Sequence, residues 1–499
     1  MSIKAQTATP RTVNEMLNSQ LVQHFIGGQF VSSNSAETFD DINPATGEVI
    51  AQISSGGPAE IDLAVSAAKE AFDNGPWPRM SIPERCAILR KIGDLILEYR
   101  EVLAHAETRD TGKPLSESMD GDIPRSAQNF HFFSEYAQAI SEDCFTVSDM
   151  ERHIAVREPL GVAALITPWN LPLYLSTWKI APCLAMGNTC VLKPAEWTPF
   201  TAYMLGMIAN EAGLPPGVLN VVHGFGANSA GEALTRHKDV SAISFTGETT
   251  TGKAIMAAAS QTLKKVSFEL GGKGATIIFD DADLPEALAT AVRSAYRNQG
   301  QICLAGSRLF VQEGIYKRVL EELVPLVERI RVGDPFDRQT QMGAIISLEQ
   351  FNKVQEYISH GKKEGKLLTG GHRVADLPKG LFLKPTVFSD LPFDSKCCQE
   401  EIFGPVLPVI PFKTAEEVVD MTNSTPYGLS ASVWSSNINT THYVSQKIRT
   451  GIVWVNCWFA RDLRTPFGGQ KSSGIGREGG RYGLDFFSEL KTVCYRYKK

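Results

Sequence analysis

The 499-residue sequence predicts an α/β protein with two domains of the open parallel-sheet type, the first of them Rossmann-like. Two observations support this prediction. From Gly161 onward, short apolar runs alternate with helical segments, which is the pattern of βαβ units, and a second series of the same kind begins at residue 275. In addition, a chain of this length is too long to fold around a single hydrophobic core.

The N-terminal region precedes the first βαβ unit and has a different pattern. Residues 24–53 alternate polar and apolar positions between turns, which predicts short antiparallel strands. Residues 59–74 have helical spacing. Ser81 and Glu84 form a capping box, so we expect a long helix that runs from there to about Asp110.

Both α/β series consist of short strands separated by helices. In the first series, the predicted strands cover residues 162–166, 190–193, 218–222 and 242–245, and two of the helices cover residues 198–212 and 253–260. In the second, a strand at 275–279 precedes a helix that is capped by Asp283 and ends near Gly300, and the next strand covers 308–312. Cys303 therefore lies in a loop between a helix and a strand, where reactive groups are commonly presented.

The composition excludes several classes of protein. The net charge is −6, so we expect no basic surface for nucleic acid. The nine cysteines are scattered without the Cys/His spacing of a zinc site, which predicts no metal centre and a reducing compartment such as the cytoplasm. We expect neither secretion nor membrane insertion, because no apolar run resembles a signal peptide or a membrane span.

The segments around Glu269 and Cys303 carry most of the functional information. A cysteine is a soft nucleophile that attacks carbonyl carbon, and a carboxylate can take a proton from a thiol or from water. Covalent oxidation of an aldehyde needs both groups, because the thiol adds first, a hydride then leaves, and water finally hydrolyses the thioester. Taken alone, a single cysteine is more often a small buried hydrophobic residue.

These segments resemble known signatures. Residues 268–273 (FELGGK) and 298–303 (NQGQIC) resemble the glutamate and cysteine signatures of the aldehyde dehydrogenase superfamily, and the resemblance extends over residues 24–495. Residues 167–172 (TPWNLP) resemble the segment that carries the oxyanion-hole asparagine. The resemblance implies that Asn170 and the backbone N–H of the catalytic cysteine stabilise the developing oxyanion, each donor contributing about 3–4 kcal/mol.

Further segments predict NAD as the cofactor. Gly247 lies between a strand and a helix, where a pyrophosphate can approach the helix N-terminus, and the neighbouring Glu248 should face solvent. Glu196 follows a strand, so it can accept the hydroxyls of the adenosine ribose and would repel the 2′-phosphate of NADP. The resemblance adds the other expected cofactor contacts: Ile166, Trp169, Lys193, Gly226, Phe245, Thr250, Leu270, Glu401 and Phe403.

Two segments indicate the substrate. Residues 122–130 and 454–466 resemble those of the 2-aminomuconate and 2-hydroxymuconate 6-semialdehyde dehydrogenases, and the resemblance implies that they line the substrate tunnel. An arginine presents a planar fork that pairs with a carboxylate. These segments contain three of them: Arg125, Arg461 and Arg464.

We therefore predict that the substrate carries a carboxylate remote from its aldehyde, with Leu171 and Trp178 as further substrate contacts. The alternative is that the arginines form structural salt bridges, for example with Asp122 or Asp462.

The predicted function is NAD-dependent oxidation of 2-aminomuconate or 2-hydroxymuconate 6-semialdehyde to the dicarboxylate, in the breakdown of aromatic rings. The alternatives are a dehydrogenase for another small aldehyde, such as betaine aldehyde, and a catalytically silent binding protein on the same fold. The resemblance implies an NAD-binding domain (1–139 and 160–271), a catalytic domain (272–478) and a β element (140–159 and 479–499) that forms a homodimer or homotetramer.

Overall fold

The computed structural model describes residues 12–498, so residues 1–11 and 499 of the predicted domains lie outside it. Its strands are short and belong to four sheets. In chain order they are β1 (Leu21–Val22), β2 (His24–Ile26), β3 (Gln29–Val31), β4 (Thr38–Ile42), β5 (Val49–Ser54), β6 (Cys144–Ser148), β7 (Glu151–Pro159), β8 (Val162–Ile166), β9 (Thr189–Lys193), β10 (Leu219–Val221), β11 (Val240–Thr246), β12 (Lys265–Glu269), β13 (Ala275–Ile278), β14 (Arg308–Gln312), β15 (Lys366–Thr369), β16 (Thr386–Ser389), β17 (Val406–Phe412), β18 (Ser430–Trp434), β19 (Ile452–Val455), β20 (Gly474–Ile475) and β21 (Ser488–Arg496).

Helices connect most of these strands. In chain order the α-helices are α1 (Val13–Met16), α2 (Pro58–Asp73), α3 (Ile82–Glu98), α4 (Arg100–Thr111), α5 (Leu115–Glu117), α6 (Ile123–Tyr136), α7 (Pro172–Ala185), α8 (Phe200–Ala212), α9 (Ala230–Arg236), α10 (Thr249–Ala259), α11 (Leu284–Tyr296), α12 (Tyr316–Glu328), α13 (Leu348–Glu364), α14 (Lys396–Gln399), α15 (Ala415–Asn423), α16 (Ile438–Lys447) and α17 (Gly480–Phe486). A π-helical turn, Ser118–Asp122, lies between helices α5 and α6. Within residues 12–498, no helix is both long enough and apolar enough to cross a membrane.

The first large sheet has the strand order β20-β12-β11-β8-β9-β10-β2-β3. The five strands from β12 to β10 are parallel, and β20 and β2 are antiparallel to their neighbours. Every residue of β8 and β9 is buried, as expected for strands covered on both faces. The chain order reverses between β8 and β11, and such a switch point is where open α/β sheets bind ligands.

The second large sheet has the strand order β15-β16-β17-β14-β13-β18-β19 and is parallel from β16 to β19. Two smaller sheets complete the fold. One joins β1, β5 and β4 near the N-terminus, and the other is antiparallel and joins β21, β7 and β6. The predicted α/β class is therefore confirmed.

Most predicted elements agree with the structure to within a few residues, but the prediction of one continuous helix from Ser81 to about Asp110 was wrong. Its capping box forms, with the Ser81 N–H donating to the Glu84 carboxylate at 2.8 Å. The helix is then interrupted at Tyr99, which has φ −88° and ψ 16° and whose hydroxyl donates to Glu211 on α8. The chain therefore turns between α3 and α4 instead of continuing to Asp110.

The domain boundaries stay a prediction, although the sheet pairing adds one difference. Strand β20, which those boundaries assign to the catalytic domain, pairs with β12 at the edge of the first sheet. The backbone of Gly474 lies opposite Glu269 in this pairing. The late segment of the chain therefore helps to enclose the end of β12.

Candidate active site

Cys303 lies at the end of a segment with an unusual backbone, residues 297–303, which we call the cysteine loop. Asn298, Gln299 and Gly300 have φ values of 48°, 58° and 71°. A non-glycine residue in this left-handed region costs of order 1–2 kcal/mol. At Gly300, a Cβ would lie 2.4 Å from the Gly404 carbonyl oxygen, so only glycine fits there.

Buried hydrogen bonds hold this strained segment. The Gln299 amide donates to the carbonyl of Ala344 at 2.9 Å and accepts from the N–H of Gly343 at 3.2 Å. The Gln301 side chain accepts from the N–H of Ile346 at 3.2 Å. These contacts fix the position of the loop against residues 343–346.

Asn170 connects the cysteine loop to the first sheet, just after β8. Its side-chain Nδ2 donates to the Gln301 carbonyl at 2.9 Å. In return, the Asn298 side chain donates to the Asn170 carbonyl at 3.0 Å. The structure thus brings the predicted oxyanion donor to the segment that carries Cys303.

Glu269 is the last residue of β12 and is 4% exposed. Neither of its carboxylate oxygens has a hydrogen-bond partner among residues 12–498, although a buried carboxylate normally has one. Burial raises the pKa of Glu269 well above its usual range, and the nearby Glu478 raises it further. The group is therefore available to bind a water molecule or to exchange a proton.

Cys303 itself is half-buried. Burial raises the pKa of its thiol to about 12, with further contributions from the negative charges of Glu269 and Glu401. Since the thiolate is the nucleophile, burial and these charges disfavour the reactive form of Cys303.

A cavity of about 550 Å³ leads to Ile302, the neighbour of Cys303. Its walls contain Arg125, Leu171 and Arg461 from the predicted substrate residues. Tyr174 lies between the two arginines, since its ring is 5.6 Å from the Arg125 guanidinium and its hydroxyl accepts from Arg461 at 2.8 Å. Two cationic groups therefore face one cavity next to the cysteine loop.

Two of the predicted substrate residues do not line this cavity. Arg464 is exposed and forms a two-pronged salt bridge with Asp462, with Nη2–Oδ2 at 2.6 Å and Nε–Oδ1 at 3.0 Å. Arg464 thus lies outside the cavity and forms the salt bridge of the structural alternative, and its assignment to the substrate stays a prediction that this arrangement does not favour. Trp178 is 3% exposed and lies beneath the Arg461 guanidinium at 5.2 Å, so it supports the cavity wall instead of forming it.

At the end of β9, Lys193 and Glu196 lie side by side, with their charged atoms 3.7 Å apart. Lys193 is buried and donates to the adjacent Pro194 carbonyl at 2.7 Å, which leaves other N–H donors for a ligand. Glu196 is half-buried at the same edge. This pair fits the two hydroxyls of a ribose.

The switch point itself is formed by the ends of β8 and β11. Ile166 and Phe245 are buried there, and Gly247 continues to the N-terminus of α10, where a Cβ would lie 2.5 Å from the Phe245 ring. Thr250 is exposed in the first helical turn, and Glu248 is exposed as expected.

The other expected cofactor residues surround this edge. Leu270 is buried after β12 and packs against Gly252 in α10, where a Cβ would lie 2.7 Å from the leucine side chain. Gly226 is exposed in the loop after β10, and a Cβ there would meet nothing within 4 Å. The structure therefore shows no reason for glycine at that position.

Glu401 and Phe403 lie on the side of the crevice that faces the second sheet. The Glu401 carboxylate accepts from the Gly272 N–H at 2.7 Å, and burial raises the pKa of this carboxyl to about 7. Phe403 has φ 56°, and its ring contacts Trp169 edge-on at 5.2 Å between centroids. These groups form a polar and aromatic wall between the switch point and Cys303.

Several residues of the site were not predicted from the sequence. Tyr174 follows the TPWNLP segment by two positions and has no motif of its own, and Phe459 lies within the second substrate segment. Arg297 lines the same cavity and pairs with Glu117 at 3.7 Å. The position of Tyr174 between Arg125 and Arg461 is visible only in the folded chain, so no signal in the sequence could have identified it.

Comparison with known proteins identifies the family. The model of the aldehyde dehydrogenase family matches residues 30–493. This chain belongs to the aldehyde dehydrogenase family. It is 46% identical to the 2-hydroxymuconic semialdehyde dehydrogenase of Pseudomonas sp. (strain CF600), over 95% of this chain and 99% of that protein. It is 45% identical to the 2-aminomuconic semialdehyde dehydrogenase of Mus musculus, over 96% and 98%.

Solved structures of other aldehyde dehydrogenases share the fold of this chain. An NAD+ complex of an aldehyde dehydrogenase from Bacillus cereus superposes with a TM-score of 0.94 at 42% identity, covering 97% of this chain and 98% of that one. The predicted aldehyde dehydrogenase fold and the predicted enzyme class are confirmed.

The electrostatics of this aldehyde dehydrogenase give a test of what Glu269 does. The charge of Glu269 raises the pKa of Cys303, so Glu269→Gln should lower that pKa and enlarge the thiolate fraction. When alkylation is followed from neutral to alkaline pH, iodoacetamide should modify Cys303 about three- to tenfold faster in the variant once Glu269 is ionised, which corresponds to a shift of up to one pKa unit. Peptide mass analysis distinguishes Cys303 from the other cysteines. Slower alkylation in Glu269→Gln would instead show that Glu269 takes the thiol proton.

Glu196 gives a second test, of cofactor preference. Its charge at the ribose edge should disfavour the 2′-phosphate of NADP by an amount comparable to a surface charge pair, about 1–2 kcal/mol. Glu196→Gln should therefore improve kcat/KM for NADP relative to NAD by roughly tenfold. Glu248→Gln removes an exposed acid from the same edge and is the matched control, for which the preference should not change. Equal use of both cofactors by the unaltered enzyme contradicts the ribose assignment.

Proposed function

We propose that this aldehyde dehydrogenase oxidises a semialdehyde that carries a carboxylate at the end remote from its aldehyde, with NAD as the hydride acceptor. The observation that carries the proposal is the pair Arg125 and Arg461 in the cavity beside the cysteine loop. Within the described part of the chain, the buried Nε and Nη2 of Arg125 have no hydrogen-bond partner. Buried guanidinium donors without partners favour a ligand that accepts their hydrogen bonds.

The charges around the cavity support an anionic ligand. Its carboxylates already have cationic partners, because Glu117 pairs with Arg297, and Asp120 pairs with Arg100. A third, Asp122, pairs with a buried lysine. In contrast, neither Arg125 nor Arg461 lies within 4.0 Å of a described carboxylate. A substrate carboxylate would supply that missing partner.

The related enzymes narrow the substrate class. Proteins 45–46% identical to this one are named for 2-hydroxymuconic and 2-aminomuconic semialdehydes, which are carboxylate-bearing aldehydes. We therefore propose 2-hydroxymuconate or 2-aminomuconate 6-semialdehyde as the substrate, within the breakdown of aromatic rings. The two compounds differ only at the 2-position, and rates measured on both decide between them.

The residues at the switch point fit NAD. Lys193 has free donors and Glu196 free acceptors for the adenosine ribose, and the N-terminus of α10 favours a pyrophosphate. Glu401 and Phe403 would hold the nicotinamide half. When bound, NAD accepts the hydride that leaves the substrate carbon.

The chain's own residues perform the other steps. The Cys303 thiol first gives its proton to solvent, and the resulting thiolate attacks the aldehyde carbon. The negative charge that develops on oxygen is stabilised by Asn170 Nδ2 and the Cys303 N–H. Loss of the hydride leaves a thioester on Cys303. Glu269 then takes a proton from the water that attacks the thioester, and the raised pKa of its carboxyl suits a base near neutral pH.

The alternatives are less well supported. A quaternary ammonium substrate such as betaine aldehyde would be repelled by the two cavity arginines. A catalytically silent protein has no use for a buried carboxylate without partners beside a cysteine. Oxidation of a carboxylate-bearing aldehyde explains both the two arginines and the buried Glu269 carboxylate.

We also propose a homo-oligomer, a dimer or tetramer, in the cytoplasm. The sheet of β6, β7 and β21 exposes apolar side chains, including Phe145 (59% exposed) and Leu490 (59%), which a second copy could cover. All nine cysteines are free, in agreement with a reducing compartment. Light scattering should give two or four times the mass of the chain, and a monomer contradicts the proposal.

The substrate proposal predicts how the arginine variants behave. A charged hydrogen bond contributes about 1.5–3 kcal/mol, so Arg125→Ala or Arg461→Ala should lower kcat/KM for 2-hydroxymuconate 6-semialdehyde roughly 10- to 150-fold. For 2,4-hexadienal, which has no carboxylate, Arg125→Ala should stay within about threefold of the unaltered enzyme, because that contact never formed. Arg461→Ala should lose somewhat more with this aldehyde, because the Arg461 charge also lowers the pKa of Cys303.

Arg464→Ala is the matched control. It removes an arginine from the same segment that is paired with Asp462 outside the cavity, so both substrates should be oxidised normally. If Arg125→Ala and Arg461→Ala reduce both substrates equally, the two arginines are structural and the carboxylate proposal fails.

A further inference from the structure

A buried lysine, Lys113, contacts the same Asn170 carbonyl that accepts from Asn298 of the cysteine loop. Lys113 follows Gly112, the left-handed residue that ends α4, and its side chain is 0% exposed. Its ammonium donates to the Asn170 carbonyl at 2.9 Å and to the Asp122 carboxylate at 2.7 Å. A weaker contact, at 3.4 Å, joins it to Glu107.

The two acids belong to different elements, so the lysine joins several parts of the fold. Glu107 lies on α4, and its second oxygen accepts from the Leu173 N–H at 3.3 Å, in the first turn of α7. Asp122 ends the π-helical turn, and its carbonyl accepts from the Ser126 hydroxyl on α6 at 2.7 Å. The cluster therefore fixes α4, α6 and α7 relative to one another around the backbone of Asn170.

These contacts leave Asn170 little freedom. Its carbonyl accepts from both Lys113 and Asn298, while its side-chain amide donates to the Gln301 carbonyl. The backbone of Asn170 is thus held by Lys113 and the cysteine loop, and its side chain is held by the cysteine loop. An oxyanion donor is effective only when it is fixed before the charge develops, since a displacement of 1 Å can cost on the order of 100-fold in rate.

We propose that Lys113 is a positioning residue for the oxyanion site: its ammonium holds the Asn170 carbonyl so that the Asn170 amide faces the carbonyl oxygen of the substrate. This inference rests on the proposed role of Asn170. Lys113 touches neither substrate nor cofactor in this arrangement, and it acts only through Asn170. A lysine that merely stabilised the fold would act regardless of which residue occupies position 170.

A double-mutant cycle distinguishes these roles. The measured quantity is the rate constant of the NADH burst with 2,4-hexadienal and saturating NAD, per folded enzyme. Lys113→Met should lower this rate constant about 10- to 100-fold while KM for NAD changes less than about twofold. In the Asn170→Ala background, Lys113→Met should change it by less than about twofold, because the donor to be positioned is gone.

Lys264→Met is the matched control. Lys264 is also a buried lysine, but it lies before β12, at the opposite end of that strand from Glu269. Its removal should change the burst rate constant by less than about twofold in both backgrounds.

Lys113→Met leaves Glu107 and Asp122 without a counter-charge, and the loss of one partner from a buried ion pair can prevent folding. In that case, the triple variant Lys113→Met/Glu107→Gln/Asp122→Asn replaces the whole cluster with neutral groups. It still lacks the ammonium that contacts Asn170, so the same dependence on position 170 is expected.

The outcomes are separable. An equal loss in both backgrounds, or a loss of less than twofold with Asn170 present, overturns the positioning role of Lys113. A near-normal burst from Asn170→Ala alone would instead overturn the proposed oxyanion role of Asn170.

Discussion

The active site depends on one contact, between Asn170 and the cysteine loop, that joins two separately built sheets. Asn170 follows β8 in the first sheet, and its amide donates to the Gln301 carbonyl in the loop that leads to β14 of the second sheet. This bond brings the edge proposed to bind NAD and the loop with the nucleophile into one crevice. The left-handed residues Asn298 and Gln299 shape the loop so that it can meet Asn170, and buried amide contacts hold them there.

The charges of the site divide into two regions with opposite roles. Around Cys303, burial raises the pKa of the Cys303 thiol and of the Glu269 and Glu401 carboxyls, so this region disfavours negative charge. Farther out, Arg125 and Arg461 provide positive charge next to the shared Tyr174. A molecule with a neutral aldehyde at one end and a carboxylate at the other matches this arrangement, because each end meets an environment suited to it.

The sequence was sufficient where function is carried by local segments. The glutamate, cysteine and asparagine segments are each six residues long, and the structure brings all three together. The sequence was insufficient where the direction of a side chain depends on an irregular backbone. Arg461 and Arg464 are three positions apart in a segment that follows the left-handed residues Asn456 and Phe459, and only the folded chain shows which arginine faces the cavity. Lys113 was missed for another reason, since its contact with Asn170 spans 57 residues.

In the proposed mechanism, one substrate contacts Cys303 with its aldehyde end and the cavity arginines with its carboxylate end at the same time. The most direct test is a crystal structure of Glu269→Gln after reaction with NAD and 2-hydroxymuconate 6-semialdehyde, since slow hydrolysis should trap the thioester. We expect an acyl group bonded to Cys303, with its thioester carbonyl oxygen at Asn170. Its distal carboxylate should lie within about 2.7–3.2 Å of Arg125 and Arg461. An unmodified Cys303, or an acyl group whose carboxylate lies in solvent or at Arg464, would contradict the proposed mechanism.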